Sequence, residues 1–440
     1  MTALTTGVPS RDSYDVVVVG GGPAGSTAAA ILAEEGFSVL QLEKEIFPRF
    51  KIGESLIPAT ISTLRRLGLE EQMKASPFTK KYSVQFFTND GRSSSPFYFG
   101  ETEVEGHAQT WQVLRSEFDI LLFENARKKG AESHQGVVVK EVLFDGDRAH
   151  GVAIQLADGS ARKIEARVVI DASGQRALIA RHFGLKDTDP NLHHAAIFSH
   201  FEGAYRDPGI DEGATLVLQT KEKNSWFWYI PLHDNKVSVG VVGPIEYLIK
   251  GRGGDPQKTL EEEIALCPEV ARRVAGSKQA FDVHVINEFS YVTTRQAGDG
   301  WVLAGDAFGF LDPMYSTGVL LALRSAEFAA DNVAEALREG DLSGERLSRF
   351  APRVSRGMTA FRKLVYSFYN KEFSFGRFLR GYPQHRIAII SILVGDVFDM
   401  DFDPLFRDIR SMVGIPGEEE SRARTWAAEY EAANAASARA

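Results

Sequence analysis

One cysteine, Cys267, stands among 440 residues. A single thiol excludes an internal disulfide framework and any cysteine-built metal site, and it suits a reducing compartment, the cytoplasm. Long apolar runs are also missing. The longest near the C-terminus, Ile387 to Val394, is too short to cross a bilayer. Excess positive charge is absent: 50 Lys and Arg face 59 Asp and Glu, a net charge of −9. That balance argues against a general nucleic-acid binder and gives no pull toward anionic membranes. Met1 to Asp15 is polar and lacks the apolar core of a secretory signal. No internal repeat is visible, and only Gly417 to Ala440 looks low in complexity, as a frayed surface helix or disorder. What remains is an ordinary globular composition, long enough for two intimately joined domains.

The strongest positive signal lies near the start. Val16-Val17-Val18-Val19 reads as a strand buried on both faces, as in a parallel sheet. Gly20, Gly22 and Gly25 follow as Gly-x-Gly-x-x-Gly, and Ser26 to Glu35 reads as the next helix. Gly20 permits a tight turn, Gly22 lets a pyrophosphate approach the backbone, and Gly25 lets helix and strand come close. The first-turn N–H groups then point at the phosphates. A second strand, Ser38 to Leu42, ends at Glu43, where a carboxylate can accept hydrogen bonds from ribose hydroxyls. Together these features predict dinucleotide binding.

Further along, Arg49 and Lys51 are either solvated charges or aids to the cofactor. Alternation from Lys81 to Phe87 predicts a strand, so at most one of Lys80 and Lys81 points inward. A helix is expected from Trp111 to about Lys129, passing through Arg115. Strands are expected at 136–144, 148–156 and 162–170, the last ending in Asp171-Ala172-Ser173-Gly174. Residues 192 to 291 alternate repeatedly and read as a mostly antiparallel sheet. Within it, Trp226-Phe227-Trp228-Tyr229 is either a core strand or an apolar wall beside a cofactor. A later strand ends in Gly305-Asp306, and the turn Phe310 to Gly318 opens a helix from Val319 to Glu335. That helix start offers backbone N–H groups to an anion. From Phe350 the chain turns helical, with dense aromatics from Phe361 to Phe378 that either fill a core or line an aromatic pocket.

The set Gly20-x-Gly22-x-x-Gly25, Glu43, Arg115, Asp171-Ala-Ser-Gly174 and Gly305-Asp306 resembles the FAD-containing monooxygenase and reductase superfamily, over roughly residues 14 to 400. Its fold is similar to that of p-hydroxybenzoate hydroxylase. The resemblance implies an α/β FAD-binding Rossmann-like domain of the GR2 type, an inserted, mostly antiparallel β-sheet substrate domain and a C-terminal helical region. The expected boundaries are 14–75, 107–190 and 292–340 for FAD, 76–106 and 191–291 for substrate, 341–416 for the helices and 417–440 for a tail. Gly20, Gly22, Pro23, Ala24, Gly25, Glu43, Arg115, Asp306, Pro313 and Gly318 would hold FAD. Within them Glu43 meets the adenosine ribose, Arg115 the pyrophosphate and Asp306 the ribityl chain.

Within that superfamily, Trp226-x-Trp228-x-Ile230-Pro231 resembles the signature of flavin-dependent halogenases. Lys81 matches the position of their catalytic lysine, and Phe310-x-x-Pro313-x-x-Ser316-x-Gly318 resembles the halide-side signature of the phenol- and pyrrole-type branch. Tyr315 stands where tryptophan halogenases carry a glutamate, which argues against free tryptophan as substrate. The resemblance implies FADH2- and O2-dependent chlorination or bromination. The route passes through a flavin C4a-hydroperoxide, a hypohalous acid and Lys81, with halide held at the N–H groups of Thr317 and Gly318. Trp226, Trp228, Ile230, Pro231 and Tyr315 would wall the active site. The substrate would be an electron-rich phenol or pyrrole, free or bound to an acyl or peptidyl carrier protein. FADH2 would come from a separate flavin reductase. No metal, nucleic acid or membrane span is expected. An aromatic monooxygenase and a reductase of the geranylgeranyl type share the FAD motifs, but the monooxygenase does not account for the tryptophan motif together with Lys81.

Overall fold

Strand Ser13–Val19 lies in the middle of the first sheet because its four valines are buried on both faces. In the computed structural model, which describes residues 7–416 apart from 102, 103, 222, 251, 288 and 289, this strand pairs in parallel with Val39–Glu43 and Ala161–Asp171. The sheet continues through Glu132–Gln135 on one side and Trp301–Leu303 on the other, both parallel to their neighbours. A hairpin of Val138–Asp145 and Arg148–Gln155 extends Ala161–Asp171 antiparallel. Helix Pro23–Glu34 packs under this sheet, beside the long helix Gly318–Glu339. The tail from 417 lies outside the described residues.

The second sheet runs in the order Lys278–Gln279, His194–Glu202, Lys236–Pro244, Trp226–Pro231, Thr215–Gln219, Ser83–Phe87 and Phe97–Tyr98. It is antiparallel except where Thr215–Gln219 meets Ser83–Phe87 in parallel. Strand Trp226–Pro231 is buried along its whole length. Its even positions Trp226, Trp228 and Ile230 face the main core, while Phe227 and Tyr229 face a smaller core with Leu260 and Val270. Two helices cover that second face, Pro256–Ala265 and Pro268–Val274. The Asp255 side chain accepts from the Lys258 N–H and Pro256 holds the first helical position, so the sequence carried the start signal of the first of them.

Three expectations need correcting. The strand expected from Lys81 to Phe87 breaks at Tyr82. Thr79–Lys81 pairs with Thr110–Gln112 in a small separate ribbon, while Ser83–Phe87 joins the large second sheet. Trp111 and Gln112 are therefore strand residues, and the helix runs Arg115–Lys128. Residues 192–291 are not sheet alone, since they contain the two covering helices.

Beyond Glu339 the chain is helical, with Ala351–Tyr369 packed on Gly318–Glu339 and Arg386–Val394, buried from Ile389 onward, reaching Ala59 through its Val394 carbonyl at 2.8 Å. Of the dense aromatics, Phe361, Phe373 and Phe378 are buried, while Tyr366, Phe368, Tyr369 and Phe375 keep partial exposure. The segment thus supplies part of the core, with its half-buried rings packed against it. No helix among the described residues is long and apolar enough to cross a membrane.

Candidate active site

The glycine-rich turn has the geometry a dinucleotide requires. Gly20 holds φ +119°, and a Cβ there would lie 2.3 Å from the Ala172 carbonyl oxygen. A Cβ on Gly25 would lie 2.0 Å from the Gly20 oxygen, so helix and turn meet backbone to backbone. Gly22 is different: the nearest atom to its would-be Cβ is Arg49 Nη2, 3.6 Å away. A guanidinium therefore stands over the one open glycine of the turn. Helix Pro23–Glu34 has no side-chain cap at Gly22, and Pro23 brings no N–H, so Ala24 and Gly25 carry free first-turn donors. Glu43 accepts from the Gly21 N–H at 2.7 Å and the Glu45 N–H at 2.9 Å, which fixes its carboxylate at the turn and leaves each oxygen a further lone pair.

Arg49 and Arg115 share one buried carboxylate. Arg49 Nη1 lies 2.9 Å from Asp119 Oδ2, and Arg115 binds Asp119 through Nε at 2.7 Å and Nη2 at 3.0 Å. Burial works against the charge of Arg115, yet Asp119 holds its pKa above the usual arginine value, aided by Asp306 and Glu54. Asp306 itself is raised to about 6 by burial, with Arg115 and Lys186 opposing the shift. Its carboxylate accepts no hydrogen bond from the described residues. Two guanidiniums on one acid, an uncapped helix start and a carboxylate lacking donors fit the expected FAD, with its anionic pyrophosphate and hydroxyl-bearing ribityl chain. Of the two cations left open by the sequence, Arg49 joins this cradle. Lys51 instead pairs with Glu45 at 3.1 Å near the surface.

Lys81 occupies a second, separate environment. It is 2 % exposed, whereas its neighbour Lys80 faces solvent. Its Nζ donates to Ser55 Oγ at 2.9 Å and to the Leu56 carbonyl at 3.0 Å, and sits 5.3 Å from the Phe99 ring centroid. Ser55 is held in turn by Thr215 Oγ1 at 2.8 Å, and Thr215 by Gln112 Nε2 at 2.8 Å. No carboxylate among the described residues pairs with Lys81. Burial alone therefore lowers its pKa to about 7. A neutral amine has two N–H bonds, both satisfied here, and one lone pair left over.

The third part is the turn that opens helix Gly318–Glu339. Ser316 adopts a left-handed conformation at φ 57°, and the buried Thr317 ends the turn without a side-chain cap on the helix. The N–H groups of Thr317 and Gly318 are thus presented at the positive end of a 22-residue helix. Asp312, 2 % exposed, ties the turn together by accepting from the Met314 N–H at 2.9 Å. It also accepts from the Tyr369 hydroxyl at 3.1–3.2 Å and has His194 Nδ1 at 3.5 Å. Tyr369 in turn accepts from Trp226 Nε1 at 2.9 Å and stacks on His194 with centroids 4.2 Å apart. Burial, reinforced by the Asp312 charge, pushes the Tyr369 phenol well above its ordinary value, so it stays protonated and donates. Tyr315 donates to the Leu364 carbonyl at 3.3 Å and is likewise raised by burial, so it stays protonated.

The tryptophan strand meets the third of these regions at Tyr369. Trp226 faces Tyr369 and Phe368, while Trp228 bonds Ser238 Oγ at 3.1 Å and packs on Phe198 at 5.5 Å. Gly240 makes room for Trp228, since a Cβ there would stand 2.2 Å from the indole. Ile230 and Pro231 continue the buried strand toward its end. The nearest thing to a metal-ligand set among the described residues is Glu117, His233 and Asp234, where His233 Nε2 is already paired to Glu117 at 3.1 Å.

Sequence reading missed Ser55, Asp312, Tyr369 and His194. Asp312 lies inside the turn Phe310 to Gly318 already singled out, so position within a motif was its available signal; Ser55 lies just after Arg49 and Lys51. Tyr369 and His194 meet Asp312 from 57 and 118 residues away; Tyr369 stood only as one of the dense aromatics between Phe361 and Phe378, and no local pattern marks His194.

The FAD binding domain family matches residues 13–353. The chain is 31% identical over 413 residues to a 1H-pyrrole-2-carbonyl-[peptidyl-carrier protein] chlorinase of Pseudomonas fluorescens, covering 88% of this chain and 90% of that one. It is 33% identical to the corresponding brominase of Pseudoalteromonas luteoviolacea, covering 88% and 93%. Among solved structures, the flavin-dependent brominase Bmp2 superposes with a TM-score of 0.80 at 30% identity, over 91% of this chain and 98% of that one.

Proposed function

The chain belongs to the flavin-dependent halogenases, and from that premise we propose that Lys81 delivers the halogen to an electron-rich ring, a pyrrole or phenol, carried on a carrier protein. The overall reaction uses FADH2, O2 and chloride or bromide. Reduced FAD supplies the electrons that convert O2 and halide into hypohalous acid.

We assign the protein's own steps as follows. The turn Gly20–Gly25, Glu43, Arg49 and Arg115 hold the dinucleotide, and Asp306 accepts from its ribityl hydroxyls. Pro313 and Gly318 border the cofactor, and the N–H groups of Thr317 and Gly318 hold the halide. Trp226, Trp228, Ile230 and Pro231 form an apolar wall that keeps the ring from the oxidant's source and keeps water out. Hypohalous acid reaches the neutral Lys81 amine. The nitrogen lone pair takes the halogen, and one N–H proton leaves with hydroxide as water. The ring then attacks the halogen of the resulting haloamine, and the amine is restored when the ring proton is lost. We assign supply of FADH2 to a separate flavin reductase and place the enzyme in the cytoplasm, which suits its single buried thiol.

The observation that carries this reading is the buried amine with two neutral hydrogen-bond acceptors and a pKa of about 7. The test needs no substrate. The protein receives reduced FAD, O2 and chloride or bromide, free hypohalite is removed, and protein-bound oxidant is followed over time. A halide-dependent oxidant present in wild type and Lys80→Ala but lost in Lys81→Ala supports the reading. An oxidant unchanged in Lys81→Ala sinks it.

A further inference from the structure

A basic pocket opens where the turn before strand Trp226–Pro231 meets the start of helix Phe375–Gly381. It has a volume of about 520 Å³ and is lined by Lys223, Lys371, Arg377 and Arg380, with Phe373 and a single acid, Glu372. None of the four cations forms an ion pair among the described residues. A net positive cavity on a chain of charge −9 is a local inversion of sign. The two walls are stitched together: Lys223 Nζ donates to the Lys371 carbonyl at 3.4 Å, and Lys371 Nζ to Asn224 Oδ1 at 3.3 Å.

The pocket is joined to the active site by aromatic rings. Phe373 meets Phe375 at 5.1 Å, Phe375 meets Phe86 at 5.4 Å, and Phe86 meets Phe368 at 6.4 Å. Phe368 then touches both Trp226 at 6.0 Å and Tyr315 at 6.4 Å. Phe86, Phe368 and Phe375 are half-buried, packed against the main core with part of each side chain still exposed. An anion-binding mouth followed by an apolar ladder suits an extended ligand with a phosphate at its outer end and an aromatic group at its inner end.

We propose that this pocket binds the phosphate of a carrier protein's phosphopantetheine arm, while the arm and its aryl thioester run along the phenylalanine ladder to Trp226 and Tyr315. The proposal rests on the carrier-bound substrate proposed above and assigns that substrate a docking surface. Arg377 and Arg380 take the phosphate, because guanidinium groups can bind its oxygens in pairs.

The test uses the full-length, FAD-loaded protein and three probes: 4′-phosphopantetheine, pantetheine without its phosphate, and inorganic phosphate. Binding is followed by titration calorimetry or ligand-observed NMR in wild type and in Arg377→Glu/Arg380→Glu. The expected result is at least tenfold tighter binding of the phosphorylated arm than of pantetheine or phosphate. That preference shrinks at high salt and disappears in the double variant. Equal binding of the arm with and without its phosphate overturns the proposal. So does a preference that survives charge reversal. Inorganic phosphate binding as tightly as the whole arm also overturns it, leaving only a general anion patch. Because binding is read without turnover, this result stands apart from the oxidant assay on Lys81, and either reading can fail alone.

Discussion

Two of the places where the molecule buries cationic side chains treat them in opposite ways. In the dinucleotide cradle, Arg49 and Arg115 are both clamped to Asp119, and the pKa of Arg115 stands above the ordinary arginine value. In the lysine chamber, Lys81 has only a hydroxyl and a carbonyl for company, and burial brings it down to about 7. The first arrangement makes a permanent charge, suited to holding an anion. The second makes a charge that comes and goes near neutrality, suited to a nitrogen that must offer its lone pair. The difference is set by one carboxylate, present in one site and missing from the other.

The comparison can be broken most completely at Lys81. Lys81→Met is expected to lower product formation at least about 10³-fold, about 4 kcal/mol of barrier, while FAD binding is retained. Mass spectrometry of product together with flavin absorbance checks both halves. Next in size is Asp119→Asn, which leaves the buried Arg115 without its acid, while Arg49 keeps Glu43 at 3.6 Å and Glu45 at 3.5 Å. A loss of about 3 kcal/mol or more is expected in denaturant unfolding, with weakened FAD binding. If Asp119→Asn left both unchanged, the cradle would not depend on its shared acid.

Asp312 sharpens the contrast from the other side, as a buried carboxylate held chiefly by neutral donors. Tyr369→Phe removes the hydroxyl between it and Trp226, and about 2 kcal/mol of stability should go with it. Because the turn carrying Thr317 would be loosened, a severalfold rise in the halide KM is expected beside that loss. Steady-state kinetics with bromide separates the two effects.

Titration gives a finer test. In the folded protein Lys81 loses its proton near pH 7, and in the unfolded chain near 10.5. Between those values the unfolded chain holds more protons, so stability rises with pH by up to about 1.4 kcal/mol per unit. The penalty is complete below pH 7 and gone above 10.5. Unfolding curves taken across that window should be flatter in Lys81→Met. Turnover should rise through pH 7 as the neutral amine appears. The smallest effect is expected at Lys80, which faces solvent: Lys80→Ala should move stability by less than about 0.5 kcal/mol and leave product yield unchanged.

The cradle was legible because its signals are local. Four valines, three spaced glycines and Glu43 fall within 28 residues, and each glycine stands where its role required. Lys81 was legible only through the family resemblance: strand alternation allowed at most one of two adjacent lysines to point inward without saying which, and the inner one is Lys81. Its surroundings were not. Thr79–Lys81 leaves the expected strand at Tyr82 to pair with Thr110–Gln112, an exchange decided by tertiary partners and not by alternation. The groups that fix its amine come from Ser55 and Leu56, about 25 residues upstream, and Ser55 is braced by Thr215, 160 residues from it. The parallel step between Thr215–Gln219 and Ser83–Phe87 was invisible for the same reason.

Strand Trp226–Pro231 serves two linings at once. Its odd-numbered side chains are locked into the small core under the covering helices, and Gly240 leaves no slack behind Trp228. A mutation that shifts this strand to admit a bulkier ring must therefore disturb a second, unrelated interior. The half-buried Phe368 and Phe375 carry no such double duty. Changes in which rings the enzyme accepts should accumulate there, so that over evolutionary time the helical end of the chain diversifies while the tryptophan strand stands still.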